Sequence, residues 1–129
     1  LGELLQAAAT GDLASVPDLA WRDESVVAIV LASEGYPLAA QTGREITGLD
    51  EVGEEGCTVI HAGTERDSDG TLRSSGGRVL SVVARENTLE GARVRAQSAI
   101  ARVLLEGSHY RTDIAERAAL GAIERVTQL

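Results

Sequence analysis

The sequence predicts an α+β fold: an antiparallel sheet of about four strands with one main helix packed across it, an N-terminal helix remnant and short C-terminal helices. Three observations carry this. Residues 57–86, CTVIHAGTERDSDGTLRSSGGRVLSVVARE, read as strand-like runs separated by turns. Residues 25–32, SVVAIVLA, form a continuous apolar run of strand length. Residues 88–105 place apolar side chains at helical spacing.

Taken in order, Leu1, Leu4, Leu5 and Ala8 share one helical face, and Gly11 is a stop. The chain contains no Met, so its start at Leu1 suggests a helix that began upstream in something longer. Residues 12–24 form a connector broken at Pro17, and Trp21 is expected to seal a join with a neighbouring domain. The run at 25–32 lacks polar alternation, which predicts a central strand buried on both sides. Gly35 and Pro37 mark a loop, residues 46–49 a short extended piece, and residues 50–56 an acidic surface turn.

Within the meander, Thr58 to Ala62 is the first strand, and Asp67-Ser68-Asp69-Gly70 is a turn because Asp-Gly tolerates positive φ. Thr71 to Ser75 is the second strand, and Arg78 to Arg85 a third, apolar on both sides and therefore central. Simple alternation sends Arg78 and Leu80 to one face and Gly77 and Val79 to the other. Thr88 caps the main helix, Glu90 sits in its first turn, and Gly107 stops it. Its apolar stripe is Leu89, Ala92, Ala96, Ala99, Ile100, Val103 and Leu104. A second helix runs from about Thr112 to Ala119, and the tail at 121–129 either extends it or frays.

The 129 residues suffice for one domain with its own core. With 2% aromatic residues and no Phe, that core is built from Val, Leu, Ile and Ala. All 12 basic residues are Arg, so lysine chemistry such as a Schiff base or a phosphate-binding P-loop is excluded. A net charge of −8 argues against nucleic-acid binding. An anionic small molecule stays open, because local N–H groups and one or two Arg side chains suffice to hold it. Cys57 is alone, so the chain forms no internal disulfide. With no long apolar run and no targeting signal, no membrane partner and a cytoplasmic location are expected.

Ser74-Ser75-Gly76-Gly77-Arg78 has two readings. Glycines let backbone N–H groups approach a ligand, and a guanidinium matches phosphate or carboxylate oxygens, so the run is a candidate anion cradle. It is equally a turn followed by a surface Arg, and spacing alone favours the turn, since it is neither a P-loop nor a dinucleotide fingerprint. His61, followed by Gly63 and Thr64, is a candidate base or ligand-orienting group, against the commoner role of a hydrogen-bonded structural residue. The two His and one Cys show no metal spacing, so no metal ligand is assigned. No G-x-S-x-G elbow supports a hydrolase, and no catalytic residue is assigned.

Five short motifs occur in order: residues 30–37 (VLASEGYP), 46–49 (ITGL), 61–64 (HAGT), 75–80 (SGGRVL) and 106–114 (EGSHYRTDI). Over about Val26 to Leu120 the chain closely resembles the C-terminal domain of phosphoribosylamine–glycine ligase (glycinamide ribonucleotide synthetase), of the ATP-grasp superfamily. The resemblance implies a parent enzyme that uses ATP and Mg²⁺ to join glycine to 5-phosphoribosylamine in purine biosynthesis, through an acyl phosphate. It divides the chain into the end of the ATP-grasp domain and a linker (1–24), the ligase C-terminal domain (25–120) and a tail (121–129). The partners it implies are the ATP-grasp and N-terminal domains and the small-molecule substrates. It points Ser75, Gly76, Gly77 and Arg78, with His61 and Gly63, toward the active site.

The family's Arg-Phe-Gly-Asp-Pro-Glu signature is absent, so the chain alone is expected to bind neither ATP nor Mg²⁺ and to be inactive. Where many relatives carry Gly and an aromatic, then Lys-Gly, this chain has LAAQTG at 38–43, so no substrate role is carried to that loop. The alternative is a non-catalytic binding or interaction module that keeps the fold.

Overall fold

The computed structural model describes residues 1–123. Helix α1 (Gly2–Thr10) ends on Gly11, whose φ of 76° lets its N–H reach back to the last turn. A short 3-10 turn at Leu13–Ser15 follows. Then come β1 (Ser25–Ala32), α2 (Leu49–Glu54), β2 (Thr58–His61), β3 (Thr64–Arg66), β4 (Leu72–Ser74), β5 (Arg78–Glu86), α3 (Leu89–Ile100) and α4 (Glu116–Ala119).

The α+β class expected from the sequence holds, with a different strand arrangement. The strands form a three-stranded antiparallel sheet, β1-β5-β2, and a separate two-stranded hairpin, β3-β4. The run at 58–85 is therefore not a simple meander. After β2 the chain keeps pairing with β5, through Ala62 N–H to Val79 O (3.0 Å) and Gly63 N–H to Arg78 O (3.0 Å). No place remains between them for β4. The hairpin leaves as an excursion, turned at Asp67–Gly70 as expected, with Gly70 at φ 89° and its N–H donating to Asp67 O at 2.9 Å. Residues 45 and 46 flank β4, Glu45 bridging to Arg73 and Ile46 N–H donating to Leu72 O at 2.9 Å.

β5 is central, as its apolar pattern predicts. β1 is not: it is an edge strand of this sheet. One side of β1 (Val27, Ile29, Leu31) is buried, while Val26 and Val30 on the other side are 54% and 44% exposed. The sequence pattern of β1 is that of a doubly covered strand, and the described residues cover one side only.

Helix α3 supplies that cover. Thr88 caps it, its hydroxyl accepting from Gly91 N–H at 3.1 Å. Ala92, Ala96, Ala99 and Ile100 are fully buried against Ile29, Val82 and Ala84 of the sheet. Small alanines let the helix axis approach the sheet closely. The helix ends at Ile100 instead of reaching Gly107. A long-range pair stops it: Leu104 and Thr47 exchange both backbone hydrogen bonds, at 3.0 and 3.1 Å. Leu104 is consequently 64% exposed and outside the apolar stripe. The second helix is also shorter than expected, beginning after Ala115, which takes a φ of 62°. Residues 124–129 of the expected tail lie outside the described residues.

Trp21 is 83% exposed, and with Leu1, Leu4, Leu19 and Ala20 it lines an apolar hollow of about 200 Å³. Among the described residues no helix is long and apolar enough to cross a membrane.

Candidate functional site

The site forms where β5 begins. Leu31 pairs with Leu80 but Ala32 pairs with Arg78, so Val79 is an extra residue, a β-bulge. The bulge overrides the simple alternation expected from the sequence: Val79 and Leu80 are both fully buried and Arg78 is exposed. Its effect is to turn Arg78 out of the core at the strand's first position.

Two loops are stitched together just before it. Ser33, 1% exposed, donates its hydroxyl to Gly76 O (2.9 Å) and its N–H to Gly77 O (2.9 Å). The Tyr36 ring then lies directly on Gly77, where a Cβ would come within 2.4 Å of the ring. Gly63 crosses Gly76 so closely that a Cβ on Gly63 would lie 2.8 Å from Gly76 Cα. Ser75 N–H donates to Gly63 O at 2.8 Å and closes the crossing.

The result is a concavity of about 540 Å³ lined by Val30, Tyr36, Ala62, Gly77, Arg78, Leu80 and Ser81. Among the described residues the Arg78 guanidinium makes no ion pair and no side-chain hydrogen bond. Glu86, a possible surface partner, is engaged by Arg95 instead. A concavity with one unpaired cation, a serine and an aromatic wall has the chemistry to hold an anion beside an apolar or ring-shaped group.

Of the residues singled out from sequence, Gly77 and Arg78 line the concavity. Gly63 and Gly76 form the backbone crossing next to Gly77 and Arg78, and Ser75 is exposed and does not line the concavity. His61 is not brought in: its Nδ1 lies 3.1 Å from Thr64 Oγ1, in a separate hollow with Glu65, Arg66 and Leu72. The sequence reading missed Tyr36 and Ser81. Ser81 carried a signal, as the one polar residue inside an otherwise apolar strand. Tyr36 carried none before its ring could be placed on Gly77.

Among the described residues no three His, Cys, Asp or Glu side chains converge as a metal site. With no Lys in the chain, the donor set does not fit Mg²⁺ with a nucleotide triphosphate, and no residue here is assigned to hold either. Burial pushes the Cys57 thiol up, the pattern of a packing residue and not of a nucleophile.

The family described as phosphoribosylglycinamide synthetase, C domain, matches residues 26–117. A phosphoribosylamine–glycine ligase from Streptomyces coelicolor is 51% identical over 122 residues, covering 92% of this chain and 29% of that protein. One from Leifsonia xyli is 52% identical over 120 residues, with 92% of this chain and 29% of that protein covered. The crystal structure of the ligase from Thermotoga maritima matches at a TM-score of 0.62 and 40% identity, over 70% of this chain and 22% of that one. The chain spans less than a third of the length of the curated relatives it matches. It belongs to the phosphoribosylglycinamide synthetase C-domain family.

Proposed function

We propose that this chain is the C-terminal accessory lobe of a ligase that joins glycine to 5-phosphoribosylamine in purine biosynthesis. It packs on an ATP-grasp domain and helps close the active site. The observation that carries this reading is identity of about one half across 92% of this chain, confined to 29% of a named ligase. The division proposed is 1–24 as the end of the grasp domain with its linker, 25–120 as the lobe and 121–129 as a tail. The start of β1 at Ser25 and the match at 26–117 support the first boundary.

In this reading the lobe contributes position and charge, not bond-making groups. ATP and Mg²⁺ supply the activation of glycine in the parent enzyme and are held by the grasp domain. Gly76, Gly77 and Arg78 face the active site, and the Arg78 guanidinium holds a phosphate or carboxylate of substrate through two parallel hydrogen bonds. Its lack of any carboxylate partner among the described residues supports this role. Tyr36 and Ser81 shape the wall beside it.

The test compares three proteins: the full-length ligase, the same protein lacking residues 25–120, and the 129-residue chain alone. Glycine- and phosphoribosylamine-dependent release of ADP is expected from the first only. Calorimetry of the isolated chain with Mg-ATP is expected to show no binding. Micromolar binding by the isolated chain, or full activity without the lobe, contradicts the reading.

A further inference from the structure

A buried serine sits at the root of the concavity. Ser33 directly follows β1 and is 1% exposed, yet its hydroxyl, N–H and carbonyl are all engaged. The hydroxyl donates to Gly76 O at 2.9 Å and the N–H to Gly77 O at 2.9 Å. The carbonyl accepts from Tyr36 N–H at 3.2 Å. One residue therefore ties the loop that carries the Tyr36 wall to the turn that launches Arg78.

The next carbonyl along is also held. Arg78 O accepts from Gly63 N–H at 3.0 Å. Carbonyls 76, 77 and 78 are thus gripped in succession, two from the end of β1 and one from beyond β2. The second and third belong to the peptide units on either side of Arg78, so its backbone is fixed. The first belongs to the peptide unit between Gly76 and Gly77, the residues with the most conformational freedom to lose. The Ser33 hydroxyl grips that one. Ser33 is itself steadied from the other edge, because Ala32 exchanges both backbone hydrogen bonds with His109, at 2.9 Å each.

Packing alone does not call for a hydroxyl here. Leu31 and Ala32 beside it are apolar and buried, and a buried hydroxyl is costly unless it is hydrogen-bonded. What the hydroxyl adds is a fixed direction for one carbonyl. That matters for Arg78, whose guanidinium has no ion pair among the described residues and takes its bearing from the backbone. A long side chain must be ordered when it binds, and a root that wobbles adds to that cost.

We propose that Ser33 is a positioning residue: its hydroxyl fixes the Gly76-Gly77 turn so that Arg78 leaves β5 aimed at the substrate anion. This rests on the reading of Arg78 as the group that holds that anion.

The test is a double-mutant cycle in the full-length ligase, with Ser33→Ala, Arg78→Ala and the two combined. Ser33→Ala should lower kcat/KM roughly fivefold, the size of one hydrogen bond. The loss should appear in KM for glycine or 5-phosphoribosylamine, with KM for ATP unchanged. In the Arg78→Ala background the same substitution should cost less than about twofold, because its effect runs through Arg78. Thr88→Ala, which loses a comparable bond at α3, is the control for lowered stability and should leave these constants alone. Amide hydrogen exchange, read without substrate, should quicken more than about threefold over residues 75–79 in Ser33→Ala and stay unchanged over α3. Unchanged exchange at 75–79 overturns the proposal. So does a Ser33→Ala loss that persists in full without Arg78, or an equal loss in Thr88→Ala. Normal kinetics in Arg78→Ala would instead refute the functional reading, and exchange alone would then decide whether Ser33 holds the turn.

Discussion

Gly63 and Gly76 cross in backbone contact: a Cβ on Gly63 would lie 2.8 Å from the Cα and N of Gly76 and from the carbonyl oxygen of Arg78. All three obstacles are main-chain atoms, so no side chain can swing aside. This packing explains both glycines without a ligand. Gly63→Ala should destabilise the chain by about 1–3 kcal/mol, the usual cost of forcing a methyl into filled space. A thermal melt checks it, and an unchanged melting temperature would mean that the two loops do not touch.

Gly77 offers a contrast, because its obstacle is the Tyr36 ring, which can move. Gly77→Ala should cost less stability than Gly63→Ala while displacing the wall of the concavity. In the full-length ligase the expected signature is a raised KM with a nearly normal melt. Equal melting losses for the two variants would show that Tyr36 is as fixed as the backbone.

Thr88 holds the first turn of α3 through its hydroxyl, 3.1 Å from Gly91 N–H. Thr88→Ala should cost about 1 kcal/mol and Thr88→Ser little, since both hydroxyls can accept the same bond. Denaturant melts of the pair check this; an equal loss in both would assign the effect to the methyl group.

At the hairpin tip, the Thr71 N–H donates to Asp69 Oδ1 at 2.9 Å. That bond is the leading cause holding the Asp69 carboxyl below the usual carboxylate range. A depressed carboxyl contributes stability that is present above its unfolded pKa and lost as pH falls through its folded one. The hairpin should therefore loosen locally only in acid, below the range where ordinary carboxylates titrate. An NMR titration should give Asp69 a midpoint below that of an unfolded-chain aspartate, with the Thr71 amide shift following it. A midpoint at or above the unfolded value would remove the hydrogen bond from the account.

Trp21 is the single tryptophan and 83% exposed beside Leu1, Leu4 and Leu19, so it is a clean reporter of the apolar hollow they form. In the isolated chain its fluorescence should be freely quenched by acrylamide, and sedimentation should show self-association at high concentration that Trp21→Ser reduces. A shielded Trp21 in a strictly monomeric chain would contradict the exposed hollow.

Local signals were legible where neighbours in sequence decide the structure. The Asp67–Gly70 turn, the Gly11 stop and the Thr88 cap depend on residues within one or two turns, and each stands where the sequence puts it. β5 was legible as central because its neighbours on both edges come from this chain. β1 was misplaced because an apolar outward face does not say what covers it. The turn and β4 were legible, but β3 was missed because Thr64-Glu65-Arg66 has no apolar alternation and is held by its pairing with β4, beside the Arg73–Asp67 ion pair. The early end of α3 depends on Leu104 meeting Thr47, far away in sequence. In the candidate site, the place of Arg78 at the rim of the core follows from its position after two glycines at the start of a strand. The hollow that His61 enters, beside Thr64, was not legible, since a single-residue change of face decides it.

Arg78 gives the most direct test of the proposed role. The single variant Arg78→Ala is made in the full-length ligase, and steady-state kinetics are measured beside a thermal melt. The account predicts that kcat/KM falls by roughly 1.5–3 kcal/mol in transition-state binding, the size of a charged hydrogen bond to substrate. The melting temperature should hold, because an exposed Arg without a partner contributes little to folding. Normal kinetics with a lowered melting temperature would contradict the account and make Arg78 a structural residue.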